Sequence, residues 1–275
     1  MTGQLLYAST GDTATISSQY PFKGANYNGL QTQLTRRVSK GVQTGASYTW
    51  SKAIDYNDNS TYNGLTFAYP AFWNRNRGLA GYDRTHNFAW WTVAGSPFGR
   101  NGKYMTTGLG GKLLGGWELD TSLSRASGTP FTVGDSGTFL NAPGNTQVAD
   151  QVKAHVSISS THARGNGSTT GLTPYFDTTA FAQVSAAGGA PRFGTSSRDE
   201  LRGPGLFDLD ASVQRTFHIW ESVAFVARAE AFNLTNTPEF ANPAASVAGS
   251  NFGFSTSLIG STTGRSINLS GRINF

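Results

Sequence analysis

A serine in a glycine-rich string is the first group in the chain that could act as a nucleophile. The string Gly134-Asp135-Ser136-Gly137 places a hydroxyl beside a carboxylate. Acyl transfer through serine also needs a histidine base and an acid that orients it, all within hydrogen-bond reach. No such partners stand in a recognisable context, so the sequence predicts no catalytic serine.

A second string, Gly108-Leu109-Gly110-Gly111-Lys112, has the glycines and the lysine that a phosphate-binding loop uses. That loop needs a glycine four residues before a Gly-Lys-Ser/Thr sequence. Thr106 and Leu113 break the pattern. A glycine-rich turn between strands explains the string, and no nucleotide site is predicted.

Metal-binding residue types are sparse. The chain has no cysteine, and its four histidines are scattered without the spacing of a zinc site. Together with the two strings above, this predicts a protein that is not an enzyme and that holds no metal and no cofactor. The histidines are His86, His155, His162 and His218.

Four charged residues share one face of two neighbouring predicted strands. Alternation places Asp208, Asp210, Arg228 and Glu230 on the polar side of an antiparallel pair. We interpret them as lumen-facing charges that form a cross-strand ion network and stiffen the wall of a barrel. The alternative is that they contact a plug or line a substrate path.

Aromatic side chains are concentrated between residues 54 and 82, and two arginines follow them. Rings of this kind stack on sugars and other flat ligands, and Tyr and Trp dominate binding hot spots. The segment is therefore a candidate for ligand contact, although the same rings could instead pack the loop against itself. The candidate residues are Tyr56, Tyr62, Phe67, Tyr69, Phe72, Trp73, Arg75 and Arg77.

The elements that position these groups are strands, because apolar and polar residues alternate with period two over long segments. The clearest case is 265–275, where apolar residues and a glycine occupy the odd positions and polar residues the even ones. Seven long strands are predicted, with an eighth before Asn26, and short turns at 39–41 and 218–220. The strands are 26–38, 42–53, 83–96, 115–128, 206–217, 221–233 and 265–275.

The connections between these strands alternate between short and long. The long ones cover 54–82, 129–205 and 234–264, which puts all of them at one end of the sheet. Outer-membrane β-barrels have this asymmetry, with short periplasmic turns and long extracellular loops. Strands of eleven to fourteen residues also suit a tilted membrane crossing. The predicted fold class is an all-β, antiparallel transmembrane β-barrel fragment of about 7–8 strands with long extracellular loops.

Composition supports this class and excludes others. Charged residues make up 13% of the chain, glycine supplies 34 of 275 residues, and no long apolar run could form a membrane helix. The net charge of +5 is spread out, with no cluster longer than Arg36-Arg37, so no nucleic-acid partner is predicted. Arg36, Arg125 and Arg215 interrupt the apolar faces only near strand ends, where long side chains can reach the interface.

The last strand resembles the C-terminal signature of outer-membrane proteins. Ile267, Leu269 and Ile273 alternate before a terminal Phe275. In that family the terminal aromatic strand is recognised by the barrel-assembly machinery. The resemblance therefore implies that these four residues are an assembly signal.

More specifically, the chain from about residue 26 to 275 resembles the C-terminal barrel portion of Oar-like TonB-dependent receptors. The family's plug domain and energy-coupling box are not found, and about seven of the family's roughly 22 strands are predicted. We expect residues 1–25 to be an extracellular loop or the end of a preceding strand, and 26–275 to be barrel. The matching stretches, in family order, are Asn26-Tyr27-Asn28-Gly29-Leu30-Gln31, Ala46-Ser47-Tyr48-Thr49-Trp50-Ser51-Lys52, Asp83-Arg84-Thr85-His86-Asn87-Phe88, Pro97-Phe98-Gly99, Gly115-Gly116-Trp117, Ser127-Gly128-Thr129-Pro130-Phe131, Leu201-Arg202-Gly203-Pro204-Gly205 and Arg228-Ala229-Glu230-Ala231-Phe232-Asn233-Leu234.

This resemblance implies a function in the outer membrane of a Gram-negative bacterium. The expected activity is uptake of a bulky nutrient, such as an oligosaccharide or a siderophore. The implied partners are outer-membrane lipid and lipopolysaccharide, the barrel-assembly machinery and, through the plug region, a TonB-type energy coupler. A soluble lectin-like β-sandwich at the cell surface and a small autonomous porin remain alternatives.

Overall fold

The computed structural model describes residues 23–38, 41–58, 65–100, 102–136, 140, 145–159, 173–185, 191–259 and 264–275. Its main element is one antiparallel sheet of seven long strands, which we call the wall. The strands of the wall are β1 (Asn26–Val38), β2 (Val42–Asp55), β4 (His86–Gly95), β5 (Trp117–Ala126), β10 (Leu206–Trp220), β11 (Val223–Phe232) and β12 (Ser266–Asn274).

Shorter elements lie in the connections. They comprise β3 (Gly78–Leu79), β6 (Pro130–Phe131), β7 (Asp150–Gln151), β8 (Phe181–Ala182), β9 (Leu201–Arg202), the α-helix α1 (Gly108–Leu114) and the 3-10 helices Pro70–Asn76 and Thr178–Ala180. Among the helices of the described residues, none has the length and apolar character needed to cross a membrane.

The wall follows chain order, β1-β2-β4-β5-β10-β11-β12, and every neighbouring pair is antiparallel. Within the described part of the chain, β1 and β12 each have a neighbour on one side only. The prediction of seven long strands is confirmed, and so is the predicted fold class. The eighth strand expected before Asn26 lies outside the described residues.

Two predicted turns have a different structure. β10 continues through the residues expected to form the turn at 218–220, and the chain reverses at Glu221 and Ser222 instead. Ile219 and Trp220 favour extended backbone, whereas the two polar residues suit a tight turn. The register of pairing with β11 shifts between His218 and Trp220, so that Trp220 pairs with Val223. The glycine-rich string at 108–112 is part of helix α1 rather than a turn between strands.

Alternation gives the wall two chemically different faces. On one face, cross-strand neighbours are apolar, for example Trp90 with Leu123 and Leu123 with Leu209. On the other, Ser212 stands between Asp120 and Glu230. The apolar face is most exposed on the two outer strands, where 71% of Leu34 and 81% of Leu269 are accessible. Exposed leucines on a long strand suit a lipid environment rather than water.

The compact core of the molecule lies in the long connections, not on the wall. The described parts of 56–85, 127–205 and 233–265 pack together into a unit that we call the cap. Gly134 exchanges backbone hydrogen bonds with Ala245 and Val247, and the amide of Thr146 donates to the carbonyl of Thr66, so all three connections are joined. The buried core residues are Phe131, Val133, Ala149, Tyr175, Phe176, Ala180, Phe181 and Leu201.

Helix α1 lies at the opposite end of the wall and is held there by two side chains of the apolar face. Arg215 donates to the carbonyl oxygens of Lys112 and Leu113, and the Trp117 indole donates to that of Leu113. Carbonyl groups at a helix C-terminus lack partners within the helix, so these contacts satisfy them. The guanidinium of Arg215 on the apolar face is thereby hydrogen-bonded beside Trp117, the first residue of β5.

Candidate functional site

The aromatic segment predicted to contact ligand forms one side of the cap, around the 3-10 helix Pro70–Asn76. Its residues divide into buried and accessible ones. Phe67 is fully buried, and Tyr56, Tyr69, Trp73 and Arg75 are half-buried. Phe72 is 37% exposed and Arg77 is exposed. Tyr62 lies outside the described residues.

Phe67 is a packing residue in this arrangement. Its ring meets the Phe193 ring edge-on at 5.2 Å between centroids, and the Arg75 guanidinium lies 4.2 Å from its centroid. Arg75 also donates to the carbonyl oxygens of Gly194 and Ser196, at 2.7 and 3.0 Å. Burial lowers the pKa of Arg75. These contacts match the alternative that part of the segment packs the loop down, and Phe67 presents no surface to a ligand.

Tyr69 and Phe72 form the accessible part of the aromatic segment. Their rings lie 6.0 Å apart, and the Phe72 ring rests edge-on against Phe193 at 5.1 Å. The amide of Tyr69 donates to Asn145 Oδ1, which ties this surface to the connection 127–205. Ligand contact stays a prediction, now centred on these two rings.

The predicted lumen-facing charges do not form the expected cross-strand ion network. Arg228 pairs with Glu230 of its own strand at 2.8 Å, because residues two apart on a strand share a face. Its contact across to β10 is the Ser212 hydroxyl, at 3.4 Å. Asp210 accepts from the backbone amide of Asn233, and Asp208 stands farther along the same face of β10.

Two partners on the polar face escaped the sequence analysis. Ser212 Oγ donates to Asp120 Oδ2 at 3.0 Å, which extends the contacts of Arg228 from β11 through β10 to β5. Gln214 donates to Glu118 across the same strand pair. Glu118 and Asp120 alternate with apolar residues along β5, but only the register between β5 and β10 sets them beside these partners.

The predicted assembly signal lies on the exposed strand β12. Ile267, Leu269 and Ile273 share the apolar face of that strand, and Phe275 follows it with 98% of its surface exposed. β12 pairs with β11 from Ser266 to Asn274. The apolar groups are thus accessible to another protein or to lipid.

A buried ionic centre joins the cap to the wall, and no local sequence pattern marks its residues. Arg198, with 4% of its side chain exposed, has Nη2 2.7 Å from Asp55 at the end of β2 and 2.6 Å from Asp58. Its Nε lies 3.1 Å from Asp199, and its Nη1 donates to the carbonyl of Asn76. One guanidinium therefore holds three carboxylates from two distant segments.

Asp199 is the most perturbed acid of this centre. Burial raises its pKa to about 6, against the opposing attraction of Arg198. Its backbone has a positive φ of 53°, a conformation that Asp tolerates better than most side chains. Asp199 Oδ1 accepts a hydrogen bond from the Thr132 hydroxyl. The backbone amide of Asp199 in turn donates to Thr132 Oγ1.

A second ion pair ties the cap to the wall nearby. Asp83 binds Arg202 and accepts from the backbone amide of Ala53 in β2 at 2.6 Å. Arg202 also donates to the carbonyl of Gly128. Asp83 and Arg202 both lie in stretches that carried the family resemblance, so a sequence signal for this pair existed.

A cleft of about 420 Å³ opens beside these ion pairs. It lies where β2 emerges from the wall and meets β3. The residues that matter for its chemistry are Trp50, Lys52, Ile54, Arg77, Leu79 and Arg202. Within the described ranges, the cleft included, no group of three His, Asp or Glu side chains could hold a metal ion.

The wall and cap define a membrane-embedded β-sheet protein with a folded extracellular side, and comparison with known families agrees. Residues 4–268 match the family described as "Outer membrane beta barrel domain". The chain belongs to this family, and it is a protein of the outer membrane. No curated protein and no solved structure matches the chain significantly.

The soluble β-sandwich alternative is wrong. A sandwich needs two large sheets packed face to face. The long strands here form a single sheet, and the family is one of outer-membrane barrels.

Proposed function

We propose that this chain is the C-terminal barrel portion of an Oar-like TonB-dependent transporter, which takes up a bulky nutrient across the outer membrane. The observation that carries the proposal is the wall itself, seven long strands of which the outer two, β1 and β12, each have a neighbour on one side only within the described residues. Free edges in a membrane are costly, because unpaired backbone groups have no water to bind there. Further strands on both sides satisfy them in a larger barrel. The ordered sequence stretches point to the same family.

In this proposal the chain supplies barrel wall and extracellular cap, and it makes and breaks no bond. The polar face of β5, β10 and β11 lines the lumen, where Arg228, Glu230 and Asp120 border the path or contact a plug. Tyr69 and Phe72 offer a stacking surface at the outside. Energy comes from an inner-membrane coupler of the TonB type that acts through the plug region.

The barrel-assembly machinery is the second proposed partner. Its contact is the accessible apolar face of β12 with Phe275. An aromatic side chain that is 98% exposed, as Phe275 is, is suited to recognition by another protein.

The test is to sequence the DNA upstream of the Met1 codon. We expect the reading frame to continue into a plug domain with an energy-coupling box and an export signal. A stop codon in frame just upstream, with a ribosome-binding site at Met1, would contradict the transporter proposal. The small-porin alternative would then need an even-stranded, closed barrel from this chain alone.

A further inference from the structure

The cleft beside β2 faces the lipid side of the wall. Trp50 and Lys52 occupy alternate positions of β2, on the face that carries Tyr48. Tyr48 pairs with Phe88, and Trp50 pairs with Leu30, so this is the apolar face. The cleft thus opens outward from the barrel and not into its lumen.

The cleft also lies at the level of the outer leaflet. β2 ends at Asp55, where the first long connection begins, and β3 pairs with the last two residues of β2. Long connections of outer-membrane barrels are extracellular. Trp50, 47% exposed, stands at the depth where interfacial aromatic residues meet lipid headgroups.

Among the described residues, two cations of this cleft have no partner. Arg202 is neutralised by Asp83, and it also donates to the carbonyl of Gly128. Lys52 and Arg77 are exposed, and neither has an ion pair or a hydrogen bond from its side chain within the described part of the chain. Uncompensated cations in a concave site attract an anionic ligand strongly.

We propose that this cleft binds the phosphorylated headgroup of an outer-leaflet glycolipid. An arginine fork and a lysine point charge are the usual pair for phosphate oxygens. The Trp50 ring can stack on a sugar, and Ile54 with Leu79 offers apolar surface to its acyl chains. The proposal rests on the outer-membrane location and does not depend on transport activity.

The experiment titrates the full chain in detergent micelles with diphosphorylated lipid A and measures bound lipid by native mass spectrometry. The double variant Lys52→Gln/Arg77→Gln should bind about 30-fold more weakly, as expected for two lost contacts at a membrane surface. Lys52→Arg/Arg77→Lys keeps both charges and should bind as the wild type does. Unchanged protease resistance of the cap shows that each variant is folded.

The matched control is Arg100→Gln/Lys112→Gln, which removes two exposed cations from the end of the wall opposite the cap. It should bind lipid A normally. Equal binding of dephosphorylated lipid A, or normal binding by the Lys52/Arg77 double glutamine variant, would overturn the proposal. Equal binding of phosphatidylglycerol, or full competition by millimolar inorganic phosphate, would also overturn it, since the site would then not select an outer-leaflet glycolipid.

Discussion

At the residue scale, the arrangement of the cap depends on single buried charges rather than on surface pairs. Arg198 holds Asp55, Asp58 and Asp199 in a site where its own side chain is 4% exposed. The Arg192–Asp150 pair lies nearer the surface. Removing one member of a buried ionic centre leaves the other charges without compensation, whereas surface pairs contribute little.

Replacing Arg198 should therefore loosen the cap. We expect Arg198→Met to destabilise it by about 3 kcal/mol or more, because the carboxylates then lack their cation. Arg192→Met, the matched control, should cost about 1 kcal/mol or less. Protease cleavage rates of the cap in detergent micelles compare the two. Equal rates for both variants would show that the buried centre has no special role.

Asp199 should make the stability of the cap depend on pH. Its pKa in the folded protein is about 6, above its ordinary value of 3.8. The folded state therefore binds the proton more tightly than the unfolded state, and stability rises as pH falls from 7 through 6, levelling off near the ordinary value. Burial also raises the pKa of Glu239, which acts in the same direction.

The variant Asp199→Asn isolates this contribution, because asparagine also tolerates the positive φ of this position. We expect it to reduce the gain in cap stability between pH 7 and pH 5, measured by denaturant unfolding of the cap. Asp150 and Asp177 have lowered pKa values, held by Arg192 and Lys153, so their stability is lost only at more acidic pH. An unchanged pH profile in the variant would rule out Asp199 as the source.

At the scale of elements, glycines allow the cap to sit directly on the ends of the strands. Gly128 follows β5, and a Cβ atom there would overlap the carbonyl oxygen of Gly203. The two segments approach at this point so that β6 and β9 can pair. The close backbone approach, not a special dihedral angle, is what requires glycine here.

We expect Gly128→Ala to destabilise the junction of cap and wall by about 2 kcal/mol through overpacking. Gly134→Ala is the control, since its added methyl would lie at an ordinary 3.6 Å from the Gln147 carbonyl. Hydrogen exchange of the amides in β6 and β9 measures the effect. Equal protection in both variants would contradict the packing argument.

Strand β12 should decide how well the protein assembles. Phe275→Ala, made in the protein's own gene, should lower the folded fraction in the outer membrane several-fold, because an accessible aromatic recognition group is lost. Asn274→Ala at the preceding position is the control. The folded fraction is measured by the shift in gel mobility on heating. Normal assembly of the Phe275 variant would refute its role as a signal.

At the scale of the whole molecule, the two outer strands of the wall, β1 and β12, have fewer backbone hydrogen bonds than the inner strands within the described residues. Strands β5 and β10 pair on both sides, whereas β1 and β12 pair on one side within the described residues. Every second backbone amide of such an edge strand points away from the sheet. The long connections add packing and hydrogen bonds to the wall at one end only, where the cap forms.

The 275-residue chain in detergent should show this difference by hydrogen exchange. We expect about half of the amides in β1 and β12 to exchange rapidly and those in β5 and β10 to stay protected. In a larger barrel that supplies neighbours to both sides, the edge amides should become protected. Full protection of β1 and β12 in the isolated chain would favour closure and the small-porin alternative.

Local sequence pattern is enough to predict the strands, their two faces and the end at which the long connections lie. Period-two alternation is local, so the strand at 26–38 could be assigned without knowing its partner. For the terminal strand, the predicted bounds 265–275 differ from the observed Ser266–Asn274 by one residue at each end. The main error, the turn at 218–220, arose because extended and turn residues adjoin there and the pairing with Val223 decides between them.

The arrangement of the long connections depends on contacts between segments that are far apart in the chain. Asp55 and Arg198 are separated by 143 residues, and no local pattern marks them as partners. The same holds for the burial of Phe67 and for the exposed cations Lys52 and Arg77, which share a cleft because β3 pairs with the end of β2. Alternation is dictated by the backbone of one strand, whereas a buried charge or a cleft depends on segments that meet only when the chain has folded.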